Sequence, residues 1–132
     1  MITTTQYTCS VAFRTEEITA AQALRFQVFN LEFNEGLDHS YLSNLDQDQY
    51  DAVCRQLIVR DEESGDVVGT YRFQTGEEAQ LHFGYYSDQE FDLSALESKR
   101  SEVLELGRAR IHRDHRNLSV LNLLWKEIAN FT

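Results

Sequence analysis

The chain has 132 residues, 42% hydrophobic and 11% aromatic, with 12 basic and 22 acidic side chains for a formal net charge of −10. Length and composition fit one globular domain over residues 1–132 and exclude a disordered chain; two cysteines, Cys9 and Cys54, exclude a disulfide framework. The acidic balance opposes nucleic-acid binding, and no apolar run approaches the ~18 residues of a transmembrane span.

The N-terminal MITTTQYTCS lacks the basic-then-apolar order of a secretion signal. A cytoplasmic protein with both cysteines reduced is expected. YTCSVAFR (7–14) alternates and is rich in β-formers, which predicts a strand. Thr15 or Thr19 can cap the helix predicted over 18–33, where Ala21, Leu24, Val28 and Leu31 share a stripe beside Phe29. Residues 34–50 are acidic and rich in Asn and Ser, which predicts a long loop, a feature that is commonly functional.

QLIVRD (56–61) and DVVGTYRFQ (66–74) read as strands joined by the turn Glu63-Ser64-Gly65-Asp66, a hairpin. Residues 83–96 read as irregular, with a short helix near Asp88–Phe91. EVLELGRARIH (102–112) is the next strand. NLSVLNLLWKEIANF (117–131) is a helix with Asn117 near its start and Val120, Leu121, Leu124, Ile128 and Phe131 on one stripe. Trp125 and the surrounding leucines read as core. The order of elements implies an α/β fold of the α+β sandwich type, a mixed and mostly antiparallel sheet flanked by helices.

Charge is unevenly placed. Residues 1–107 carry 7 basic and 20 acidic side chains, whereas 108–132 carry 5 basic and 2 acidic. Four arginines and two histidines fall between Arg108 and Arg116, just before a helix whose N-terminus offers free N–H groups and a positive dipole end. A basic patch on an acidic chain suits a local anionic ligand: a phosphate, a pantetheine arm or an acidic carrier protein. In a regular strand Glu105 and Arg108 would face opposite sides; Gly107 between them permits a bulge that brings both to one side. His112 and His115 have no partner at metal-ligand spacing, so no metal is expected.

ALRFQVF (23–29), DQYDAVCRQLIV (48–59), GDVVGTYR (65–72), FDLS (91–94), VLELGRARIH (103–112) and LNLLWKEI (121–128) together resemble the ornithine and N-acyl amino acid N-acyltransferases. These are relatives of the acyl-homoserine-lactone synthases within the GNAT fold. The likeness covers roughly residues 20–130. It implies transfer of a fatty acyl group from a thioester to an amine without a covalent acyl-enzyme. Backbone N–H groups of the strand after the hairpin would polarise the carbonyl. By the same likeness Glu105 and Arg108 are catalytic, with Glu105 the preferred group for assisting removal of the amine proton. Arg25, Phe29, Asp48, Asp51 and Arg72 hold and brace the acceptor. His112, Arg113, Arg116, Asn117 and Ser119 receive the donor's phosphopantetheine. No permanently bound cofactor is implied. The donor is acyl carrier protein or acyl-coenzyme A, the acceptor a small amine, and self-association is left open.

The chain departs from the general pattern at Arg116-Asn117-Leu118-Ser119-Val120-Leu121. Ser119 and Leu121 occupy positions that are glycines in the coenzyme A-binding motif R/Q-x-x-G-x-G/A. This favours acyl carrier protein as donor, with an amino acid such as ornithine as the acceptor that the resemblance implies. The LNLLWKEI helix also sets the chain nearer to that side than to homoserine-lactone signalling. In the fold, further strands follow this last helix and are expected to complete the acyl cleft. An autoinducer synthase and a coenzyme A-dependent acetyltransferase are the neighbouring alternatives. A non-catalytic binding domain is the alternative of another class. Without the resemblance, the same charged residues also fit a purely structural ion-pair network.

Overall fold

The structure, a computed structural model, describes residues 2–3, 6–89 and 92–130. Phe91 and Phe131, used in the sequence reading, lie outside the described residues. Five strands form one sheet in chain order: β1 (Ile2–Thr3), β2 (Tyr7–Val11), β3 (Arg55–Asp61), β4 (Val67–Thr75) and β5 (Leu104–Ile111). All four pairings are antiparallel. The β3–β4 turn forms as predicted. The Asp61 carboxylate accepts from Glu63 N–H at 3.1 Å and from Ser64 Oγ at 3.1 Å, and Gly65 takes φ +81°.

Helices α1 (Thr15–Phe26) and α3 (Leu118–Ala129) cover opposite faces. Side chains alternate along β3, so Leu57 and Val59 join Val120, Leu123, Leu124 and Ile128 of α3 in the main core. Ile58 points the other way, to Ala12 and Ala21. Each buried aliphatic side chain contributes about 1.5–3 kcal/mol. Among the described residues, no helix is long and apolar enough to cross a membrane.

Four local readings change. The start of α1 is closed by Glu17, whose carboxylate accepts the N–H groups of Phe13 and Arg14 at 3.2 and 3.1 Å, and neither Thr15 nor Thr19 is the cap. The predicted single helix over 18–33 gives way at Gln27–Glu32 to a π-helical stretch, marked by Phe33 N–H donating to the Val28 carbonyl. The wider turn shifts the phase of the stripe. Val28, Phe29 and Asn30 are buried in succession, and Leu31 turns outward at 63% exposure. On α3 the buried stripe is Val120, Leu123, Leu124 and Ile128, while Leu121 and Trp125 are partly exposed; Trp125 meets Tyr71 edge-on. Asn117 does cap α3, accepting from Val120 N–H at 3.0 Å.

The acidic segment is more ordered than a plain loop. Short 3-10 helices form at Asp38–Leu42 and Gln49–Ala52. Gly36 is needed because a Cβ there would lie 1.9 Å from Asn30 Oδ1. After β4 comes α2 (Gly76–Leu81), a region the sequence reading leaves unassigned. Its signal was present: Thr75 and Glu78 form a capping box, with Thr75 Oγ1 accepting from Glu78 N–H at 3.1 Å. Residues Tyr86–Gln89 and Ser94–Glu102 are 3-10 helical and lead into β5.

Candidate active site

Beside the aliphatic core lies a buried polar network. Arg25 has no exposed surface. Its Nε donates to Asp46 Oδ2 at 2.9 Å and its Nη1 to Gln56 Oε1 at 2.9 Å. Its Nη2 donates to both Asp51 carboxylate oxygens at 2.8 Å and to the Asp46 carbonyl at 2.6 Å. Arg72, 4% exposed, donates from Nη1 to Asp48 at 2.6 Å and to Asp51 at 3.2 Å. Burial opposes its charge, but the Asp48 hydrogen bond and the Asp48 and Asp51 charges outweigh that, so its pKa is raised. Asp48 also caps the 49–52 turn, accepting from Tyr50 N–H at 2.9 Å. Two arginines and three aspartates thus form one layer of ion pairs.

Above this layer β5 is bulged. Thr70 pairs with Arg110 and Arg72 with Gly107, so Tyr71 faces both Arg108 and Ala109. The left-handed residue of the bulge is Arg108, at φ +52°. Gly107 has no positive φ, so the bulge expected at the glycine sits one residue later. A non-glycine residue held in this region costs of order 1–3 kcal/mol, and such strain gathers at functional sites. The bulge sets Glu105, Gly107, Arg108 and Arg110 along one cavity of about 260 Å³. Phe29, Cys54, Arg72, Gln74 and Tyr86 complete most of its wall.

Glu105 is held firmly in this wall. Oε1 accepts from Gln74 Nε2 and from Tyr86 N–H, both at 2.8 Å; Oε2 accepts from Ser87 N–H at 2.9 Å. A carboxylate offers about four acceptor sites, so room remains for one further donor. Phe29 is 7% exposed, with the guanidinium carbons of Arg108 and Arg110 4.8 and 3.9 Å from its ring centroid.

Of the residues singled out in sequence, Phe29, Arg72, Glu105 and Arg108 meet in the cleft. Arg25 does not line it; with Asp51 it forms the floor behind Arg72. Asp48 opens instead onto an adjoining hollow shared with Arg108. His112, Arg113, Arg116, Asn117 and Ser119 lie at the far end of β5, around the start of α3, and none lines the cleft. Several already have partners. His112 Nδ1 accepts from Asp114 N–H at 3.1 Å. Arg116 pairs with Glu32 and donates from Nε to the Ile111 carbonyl at 3.0 Å. Asn117 caps α3 and donates to Tyr7 Oη at 3.2 Å. Sequence reasoning passes over Asp46, Gln56, Gln74 and Tyr86. The two glutamines carried a signal, as polar residues beside the apolar runs of β3 and β4.

Cys54 sits in the cleft wall, and burial pushes its thiol up to about 11, Arg72 opposing the rise. Cys9, fully buried, is pushed to about 12. Only the thiolate reacts. Alkylation of Cys54 by iodoacetamide, followed by intact mass, is therefore expected to be slow near neutral pH and to accelerate up to about pH 11. Full modification at neutral pH, at the rate of a free thiol, would contradict this environment. No group of three potential metal ligands occurs among the described residues.

Comparison with known proteins decides the family. The profile described as "Acetyltransferase (GNAT) domain" matches residues 24–126. The chain belongs to the GNAT acetyltransferase domain family. This GNAT domain is 35% identical to an L-ornithine N(alpha)-acyltransferase of Brucella abortus, over 83% of the chain and 42% of that protein. It is 32% identical to the Rhodobacter capsulatus protein of the same name, over 95% of the chain and 51% of the relative. The chain thus spans about half the length, or less, of these curated relatives. The crystal structure of the AHL synthase LasI superposes with a TM-score of 0.62 at 19% identity, covering 95% of this GNAT domain and 65% of that chain. That likeness places the sheet, both flanking helices and β5 in a shared fold.

Proposed function

We propose that this GNAT domain serves an N-acyltransferase that moves a fatty acyl group from an acyl carrier protein thioester to the amine of an amino acid such as ornithine, in the cytoplasm. The observation that carries the reading is the bulged β5, which aligns Glu105 and Arg108 on one cleft above the Arg72–Asp48–Asp51 layer. The relatives named for ornithine acylation support the acceptor.

The reaction needs little from the protein beyond placement. The neutral amine attacks the thioester carbonyl; the C–N bond forms, the C–S bond breaks, and the amine proton is passed on as the thiol leaves. Glu105, with one acceptor site left, orients the amine and receives its proton directly or through water. Backbone N–H groups of β5, the strand after the hairpin, would polarise the carbonyl and receive the developing oxyanion. A groove of about 400 Å³, mostly apolar and lined by Phe33, Tyr71, Ala109, Ile111, Leu121 and Leu124 together with Arg110 and Arg116, continues along β5 towards α3 and suits the donor's arm. The exposed basic turn, Arg113 above all, faces an acidic carrier.

Mass spectrometry of lipid extracts tests this, from cells expressing the chain and from cells expressing the whole reading frame that encodes it. N-acyl ornithine or another N-acyl amino acid is expected; its absence from both, despite folded protein, would overturn the reading. For the donor, Arg113→Glu together with Arg116→Glu is expected to weaken carrier-protein affinity about tenfold at low salt and less at high salt. Equal affinity at both salt levels would remove the carrier from the proposal.

A further inference from the structure

The positive charges in this molecule are not treated alike. Arg25 and Arg72 are matched by Asp46, Asp48 and Asp51 at hydrogen-bonding distance. Arg108 and Arg110 are not. Arg108 approaches a carboxylate only at 3.7 Å, and that carboxylate, Asp46, is already engaged by Arg25. Arg110 makes no ion pair among the described residues, and its Nη1 donates to the carbonyl of its own neighbour, Ala109, at 2.8 Å. The Nε groups of both are buried without a hydrogen-bond acceptor. Buried donors left in this state are uncommon and costly.

Geometry keeps the two together. Both guanidinium carbons lie over the Phe29 ring, which the π-helical stretch has turned inward. Stacking fixes the planes of the forks and leaves their N–H edges available. Burial also lowers the Arg110 pKa, Glu35 opposing and Arg108 adding to the effect. Arg108 is held in its strained conformation by the bulge. Among the described residues, the one acidic side chain lining the same cavity, Glu105, is occupied by three donors. The cavity therefore carries a surplus of positive charge in a molecule of net charge −10.

We infer that Arg110, with Arg108 beside it on Phe29, is a carboxylate-reading site: it selects acceptors that keep a free carboxylate next to the reacting amine. This rests on the acyltransferase reading and deepens it. A carboxylate takes two parallel N–H bonds from one fork, and Glu105 on the same wall then receives the neighbouring ammonium. The pair of opposite charges on the ligand meets a pair of opposite charges on the protein. At about 260 Å³ the cavity lies below the ~300–1,000 Å³ usual for drug-sized ligands, which suits a free amino acid. The donor's phosphate offers similar anionic chemistry, and Arg110 also borders the neighbouring groove with Arg116, whereas Arg108 and Glu105 line the cavity with Phe29 and not that groove; a phosphopantetheine probe separates the two ligands.

The test is binding, measured by calorimetry on the 132-residue chain without any acyl donor. The probes are L-ornithine, L-ornithine amide and 4′-phosphopantetheine. The amide keeps both amines and loses only the carboxylate. L-ornithine is expected to bind at least about tenfold more tightly than the amide, and Arg110→Gln to remove that difference. Arg110→Lys, which keeps the charge but not the fork, is expected to restore only part of it. Equal binding of ornithine and its amide, or no binding of ornithine, overturns the inference on the wild-type chain alone, whatever the variants' stability. Loss of phosphopantetheine binding in Arg110→Gln with ornithine binding intact overturns it in favour of the donor. Carboxylate-dependent binding without N-acyl product from any thioester would count against the acyltransferase reading and leave the carboxylate site standing.

Discussion

Glu105→Ala is expected to lower the rate of acyl transfer by about 100-fold or more while the protein stays folded. The Glu105 carboxylate ties β5 to Gln74 on β4 and to the Tyr86–Ser87 backbone. Its loss leaves two backbone N–H groups without their acceptor and loosens the cleft wall opposite Phe29. Glu105→Gln separates the two parts of the role. The amide oxygen can still accept at one position, so the loop is better preserved, but the side chain no longer takes a proton. If proton removal matters, Glu105→Gln retains the acceptor KM and loses kcat. If Glu105 only orients, kcat at saturating acceptor is largely kept and KM carries the loss. Full activity of Glu105→Ala would remove it from the mechanism.

Arg25→Ala is expected to destabilise the domain by about 3–5 kcal/mol, read as a lower urea midpoint. The side chain has no exposed surface and supplies donors to Asp46, Asp51 and Gln56. Removing it leaves buried carboxylates without their counter-charge, which costs far more than the lost contact. The domain's whole stability is of order 5–15 kcal/mol, so the loss is a substantial part of it. A loss below about 1 kcal/mol, the level of an exposed ion pair, would mean that the network is not buried in solution. This contrast separates the two arginine pairs: Arg25 and Arg72 support the floor, whereas Arg108 and Arg110 present charge to the cavity.

Much of the domain was legible in the sequence because its signals are local. Alternation marked β2, the Glu63–Asp66 turn marked the β3–β4 hairpin, and Asn117 before an apolar stripe marked α3. Ordered short motifs pointed to the GNAT family, and a single profile over 24–126 agrees. The charged residues that meet in the structure were also recognisable as a set, since arginines and aspartates in half-buried segments require partners.

Tertiary structure decided which member of the set does what. Arg25 and Arg72 are alike in sequence, but packing seals the first beneath the second and opens only Arg72 to the cavity. The bulge depends on how β5 pairs with β4, so no pattern within β5 alone could assign the strained conformation to Arg108 rather than to Gly107. The π-helical stretch likewise shifted the buried face by one residue, bringing Phe29 under two arginines and sending Leu31 to solvent. These outcomes are set by long-range contacts: hydrogen bonds between strands and, in the Arg25–Arg72 network, ion pairs across 21 to 26 residues of chain. Local propensity carries no information about such contacts until the sheet has formed.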